Sequence, residues 1–149
     1  MGVNKPQRSV LSRGVAVRSP GWLVNLCRRR ATIFRYHALE GVVDDIAGMV
    51  VPAGETAAQQ LGFAPWAARR ILDGYVSAAD ARELATRFVL SPAVGEELNV
   101  ILRSVEIDPW PLDAACAHVG PLVAALDMLE LPVDDRSAET AIPVIERYL

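Results

Sequence analysis

Apolar positions recur at helical spacing through most of this 149-residue chain. From Ala38 to Val51, the residues Leu39, Val42, Val43, Ile46 and Val50 fall three or four apart, which predicts a helix with one buried face. Pro52-Ala-Gly54 breaks it. The stretch from Glu55 to Gly74 then reads as two short helices around a tight turn. Ala58 is small where the two backbones approach, and Gly62 supplies the left-handed residue that ends the first helix. Phe63, Ala67, Ala68, Ile71 and Leu72 give the second helix its apolar face. Pro65 suits its first turn, and Gly74 marks its end.

The pattern continues downstream. Ser77 is an N-cap for a helix from Ala78 to Leu90, with Asp80 three residues on. Ser91-Pro92 opens a helix from Ala93 to Val105 with Val94, Leu98, Ile101, Leu102 and Val105 inward. Asp108-Pro-Trp-Pro111 is a turn and an internal sub-boundary. Leu112 to Leu131 repeats the helix–glycine–helix cadence, with Cys116 and Gly120 at the small and glycine positions and Leu126 and Leu129 on the second apolar face. Leu131 to Asp135 is a further turn. The β-branched run Ala141-Ile-Pro-Val-Ile145 suits a short β-ribbon near the C-terminus. The expected fold class is mostly α, with five or six helices and any strands confined to the tail.

The Glu55–Gly74 pair resembles the helix-turn-helix of the lambda-repressor-like (Xre) regulators and related antitoxins. The matching residues are Ala58, Leu61, Gly62, Phe63, Ala68 and Ile71, followed by Leu72-Asp-Gly74, and Ser77 to Ala85 resembles the helix after the recognition helix. The resemblance covers roughly residues 40–92. Pro65-Trp66 departs from the family's small polar residues, and no clear polar first helix precedes Glu55. The resemblance implies that the second helix enters the major groove of double-stranded DNA. Arg69 and Arg70 would then contact bases or phosphates, with Trp66 beside them. The competing reading makes them solvated charges on an ordinary helix. In the Leu112–Leu131 unit the second helix carries Asp127 and Glu130 and no basic residue, so packing or partner binding is the better reading there.

Charge changes the picture more than the net of −3 suggests. The first 39 residues contain no acid and carry Lys5, Arg8, Arg13, Arg18, Arg28, Arg29, Arg30 and Arg35; all eighteen acids follow, against seven arginines. Residues 1–36 therefore read as a basic flexible arm and 37–149 as a single helical domain. Such an arm contacts DNA, binds the chain's own acidic body or an acidic partner, or reflects an over-extended translation start. Trp22, Leu23, Leu26 and Cys27 form at most one apolar turn before Arg28-Arg-Arg30, too short to span a bilayer.

The search for catalytic chemistry is negative. Cys27, His37, Cys116 and His118 are the only cysteines and histidines, and their spacing does not fit a structural zinc site. Asp44-Asp45 and Asp134-Asp135 are adjacent, so each pair diverges by about 100° on a helix. Gly48 and Gly54 lack the following Gly-Lys of a phosphate loop. The expectation is no catalytic residue, no metal and no cofactor.

Trp66 and Trp110 suit partner anchors, though a chain with 6% aromatics has more use for them in its core. The preferred function is a cytoplasmic DNA-binding transcriptional regulator of the antitoxin type. It would act as a homo-oligomer, with a partner protein as a further candidate and no membrane contact. The alternative is a non-enzymatic protein-interaction module using alanine- and leucine-rich helical faces.

Overall fold

A computed structural model describes residues 31–64, 70–105, 118–132 and 136–148. The expectation of a mostly α fold is overturned. The protein is an α/β domain built on a five-stranded mixed sheet. The strands are β1 (Thr32–His37), β2 (Val51–Pro52), β3 (Leu72–Ser77), β4 (Ser91–Pro92) and β5 (Val100–Val105). The helices are α1 (Glu40–Ala47), α2 (Gly54–Leu61), α3 (Ala78–Arg87), α4 (Pro121–Glu130) and α5 (Arg136–Glu146), with a short 3₁₀ turn at Gly95–Glu97. Sheet order is β2-β3-β5-β1-β4. β3 and β5 run parallel, with Gly74 opposite Leu102; β1 pairs antiparallel with β5, with Ile33 opposite Arg103.

Three expectations fail for separate reasons. The segment expected to close a second helix at Ile71-Leu72 is instead the entry to β3. The second helix of the expected helix-turn-helix therefore does not run to Gly74. The run expected as helix 93–105 becomes the 3₁₀ turn and β5, and Ser91-Pro92, expected to open that helix, is β4. β5 is buried along nearly its whole length, and a strand covered on both faces reads as a continuous apolar run without alternation. The expected C-terminal ribbon is a helix: residues 141–145 lie within α5, which carries Pro143 inside it. β1 starts at Thr32, so regular structure begins within the segment read as an arm.

Other local signals hold. Ser77 caps α3, its hydroxyl accepting from the Asp80 N–H at 3.1 Å. Gly62 ends α2 at φ 84°, its N–H bonded back to Ala58 and Gln59 carbonyls.

Alternation along the two central strands creates two different interfaces. Leu72 and Val76 of β3 join Val100 and Leu102 of β5 in a core with Val43 and Ile46 of α1 and Ala81 and Leu84 of α3. The intervening residues Asp73, Tyr75 and Arg103 point to the opposite face, toward α2 and α4. There Ala53, Ala57, Tyr75, Val119 and Ala124 pack together. Beyond them Ala58, Ala125, Met128, Leu129, Ala141, Val144 and Ile145 join α2, α4 and α5. The apolar face of α4, through Ala124, Ala125, Met128 and Leu129, is thus packed inside the chain.

Candidate functional site

The polar interior centres on Arg103, which is fully buried. It stands in β5, between β3 and β1 in the sheet, and its side chain reaches α4. Its Nε and Nη2 donate to Oδ1 and Oδ2 of Asp73 at 2.8 and 2.9 Å, a two-pronged pair. Its Nη1 donates to Glu130 Oε1 at 2.6 Å and lies 3.4 Å from Asp127 Oδ1. Its Nη2 also donates to the Asp127 carbonyl at 3.1 Å. Tyr75 donates its hydroxyl to Asp127 Oδ1 at 2.8 Å. The Asp73 amide donates to the Thr56 hydroxyl of α2 at 2.9 Å, which in turn donates to the Ile71 carbonyl at 3.2 Å. One guanidinium therefore ties β3, β5 and α4 together, and Thr56 adds α2.

Burial is the first cause that pushes the Asp73 carboxyl above its usual range. The Arg103 charge and hydrogen bond oppose that push, and the Asp127 charge adds to it. Burial works against the charge on Arg103, yet Asp73 and Asp127 favour it more and hold the group well above its ordinary value. A carboxyl raised in the folded protein keeps a proton that the unfolded chain releases. Its contribution to stability is then complete below the ordinary carboxylate value and is lost as pH rises through the raised one. The stability difference between the wild type and Asp73→Asn should therefore shift in the wild type's favour as pH falls from neutral toward that ordinary value. Urea unfolding of both proteins across pH checks this; a difference flat with pH contradicts it.

Arg103 and Asp127 are fully buried, and Asp73 nearly so. The cluster fixes the layers to each other, and its hydrogen-bonding atoms face one another. Among the described residues no group of three or more His, Cys, Asp or Glu is placed to hold a metal ion. No helix among them is long and apolar enough to cross a membrane.

The residues expected to touch DNA are not brought together among the described residues. Trp66 and Arg69 lie outside them, as do Cys27, Trp110, Cys116, Asp134, Asp135 and the 108–111 boundary. Arg70 is exposed, but it pairs with Asp44 of α1 and lies 3.9 Å from Glu40. Two acids beside one arginine offset the positive charge that phosphate contact needs. His37 Nδ1 bonds the Glu97 carbonyl at 2.7 Å, and His118 Nδ1 the Val119 carbonyl at 2.9 Å.

The accessible feature lies at the β1 edge of the sheet. β4 pairs with β1 only at Tyr36 and His37. The Ala93 N–H donates to the Arg35 carbonyl at 3.2 Å, whereas the Tyr36 carbonyl accepts from Asn99 on the β5 side at 3.1 Å. Peptide groups alternate in direction along a strand, so Ile33 and Arg35 direct theirs to the β4 side. β4 ends at Pro92, and β1 runs past it. An open groove of about 480 Å³ follows this edge, lined by Ile33, Phe34, Arg35, Tyr36, Val94 and Glu97 among others. The Phe34 and Tyr36 rings stack there, 6.3 Å between centroids.

Two exposed apolar side chains, Phe34 and Val94, line this groove. Six large hydrophobics are exposed among the described residues. Four of them, Phe34, Leu39, Val89 and Val94, sit in β1 or within two residues of β1 or β4. Val94 is 77% exposed and Val89 81%. Such residues beside a strand edge left unpaired among the described residues mark an interaction surface or an aggregation hazard.

The fold and this edge define a layered α/β domain with a buried ionic interior and an open sheet margin. No protein-family model matches the sequence, and neither a curated protein nor a solved structure matches it. The chain's own residues therefore carry the functional reading.

Proposed function

We propose that the protein is a non-catalytic interaction module that takes an extended polypeptide as an added strand along β1. The supporting observation is the part of the β1 edge that β4 does not cover, where the outward peptide group of Ile33 meets a groove lined by the exposed side chains of Phe34 and Val94. Strand addition draws affinity from main-chain hydrogen bonds and specificity from side-chain grooves, and this edge offers both. The interior supports the same reading, because the polar cluster is spent on holding the layers together. The partner's chemistry is an extended segment of alternating apolar and polar residues.

A DNA-binding regulator is the competing proposal, favoured by the eight basic residues of the first 39. One titration separates the two. A fluorescent peptide spanning residues 31–37 and a fluorescent DNA duplex are each added to the full chain across a salt series. The edge reading expects saturable peptide binding that Ile33→Pro weakens, since proline removes an outward N–H. Absence of peptide binding, with DNA binding that Arg70→Ala weakens, overturns it in favour of the regulator.

A further inference from the structure

We infer that β4 is a displaceable strap: it occupies the second half of the β1 edge in the free protein and yields it to the incoming strand. The inference rests on the strand-addition reading above and names how that same site is regulated. β4 holds β1 weakly, and the backbone that delivers it there is strained.

The hold is short. β5 pairs with β1 through five residues, Thr32 to Tyr36, whereas β4 pairs through two, Tyr36 and His37. Pro92, half of β4, has no N–H to donate. One further bond joins the Ala93 N–H to the Arg35 carbonyl at 3.2 Å. Both residues of β4 are exposed, as are Val89 before it and Val94 after it. The buried residues of the segment are Leu90 and Ala93, and Leu90 is the most exposed of the buried residues in the core it joins.

The strain lies at the end of α3. The Leu90 N–H reaches back to the Ala85 carbonyl at 3.0 Å and closes the helix around Val89. That closure suits glycine, yet residue 89 is a valine at φ 51°, the one non-glycine in the left-handed region among the described residues. A β-branched side chain fits that region poorly. The Val89 side chain is exposed, so packing does not offset the strain. At the far end Gly95, at φ 63°, is a second left-handed residue. The strap therefore runs between two sharp turns, and its departure from β1 lets Val89 relax to an extended conformation. Strain of this kind persists only where the surroundings hold it, and it gathers at switch segments. Displacement uncovers the outward peptide groups of Arg35 and His37 beside that of Ile33. Val94 leaves with the strap, which opens the Phe34–Tyr36 stack to a side chain of the incoming strand.

A disulfide across the paired residues His37 and Ser91 fixes the strap in place. Paired Cα atoms of antiparallel strands stand about 4.5–5.5 Å apart, within disulfide reach. In a Cys27→Ser/Cys116→Ser parent, His37→Cys/Ser91→Cys is titrated with the fluorescent 31–37 peptide, oxidised and reduced. The reduced form is expected to bind as the parent does, and the oxidised form about tenfold or more weaker, because the strap can no longer leave. Val89→Gly relieves the strain of the docked strap and should weaken the peptide about three- to fivefold. A second readout needs no partner. The Ala93 amide should exchange hydrogen faster than the amides of β5, and Val89→Gly should slow it by a similar factor.

Oxidised and reduced forms that bind alike, with Ile33→Pro still weakening the peptide, overturn the strap and leave strand addition standing. An Ala93 amide that exchanges no faster than those of β5, and is indifferent to Val89→Gly, overturns the strap as well. A parent that binds no peptide overturns the strand-addition reading and the strap together.

Discussion

Arg103→Met is expected to cost about 3–5 kcal/mol, a large part of the roughly 5–15 kcal/mol that holds a domain of this size together. The native arrangement supplies one guanidinium to Asp73, Asp127 and Glu130. Methionine fills similar volume but leaves those carboxylates facing one another in a buried layer. Removing one partner of a buried ionic group costs far more than the intact group contributes, because desolvation is then uncompensated. The damage should be specific in its pH dependence. Without the cation, the burial that raises the Asp73 carboxyl is no longer opposed, so the variant's stability should rise further than the wild type's as pH falls from neutral toward the ordinary carboxylate range. Arg103→Lys should fall between the two. A single ammonium keeps the charge but cannot grip both Asp73 oxygens while reaching Glu130. Urea unfolding followed by circular dichroism measures all three proteins. A loss under about 1 kcal/mol for Arg103→Met would mean that the layers hold without the cluster.

The sequence carries half of the signal for this cluster. Arg103 is the one charge in the run Val100 to Val105, and Asp127 lies in the apolar stretch Leu122 to Leu131. A charge inside a buried run needs an opposite charge, so each of these implies a partner. The pairing itself is not encoded locally, because Asp73 and Asp127 lie 30 and 24 residues from Arg103 and meet it only through the pairing of β3 with β5 and the packing of α4 on the sheet. The strands divide in the same way. β1 is legible by composition: Thr, Ile, Phe and Tyr are strand formers, although the basic charge around them suggests an arm. β5 is not, since apolar residues at 98, 101, 102 and 105 fit a helix as well as a strand buried on both faces. In β3, Gly74 fits a helix stop and a strand position equally, because glycine carries no preference that distinguishes the two. Helices α1 and α3, set by one-sided patterns and a serine cap, are legible because their determinants are local. The open β1 edge depends on where β4 stops, and no local pattern encodes that.

Gly54→Ala should be the second most damaging change, at about 2–4 kcal/mol, although it adds only a methyl group at a helix start. Gly54 adopts φ 47°, the left-handed region, where an alanine Cβ alone costs roughly 1–2 kcal/mol. The added Cβ would also run into Asp73 Oδ2, with Asp73 Cγ at 3.1 Å and Arg103 Nη2 at 3.6 Å. The carboxylate cannot retreat without releasing one prong of its grip on Arg103. Gly62→Ala is the matched control: Gly62 has φ 84°, but nothing lies within 4 Å of the position its methyl group would take. It should show backbone strain alone. The excess of Gly54→Ala over Gly62→Ala then measures the collision with the cluster. A double-mutant cycle sharpens the point. In an Asp73→Ala background the obstructing oxygens are gone, so the Gly54→Ala penalty should shrink toward that of Gly62→Ala. If it stays undiminished, the glycine serves the backbone of α2 and owes nothing to the ionic cluster. If it shrinks, the start of α2 and the charge of Arg103 form one energetic unit, with the missing side chain at residue 54 setting where the Asp73 carboxylate stands.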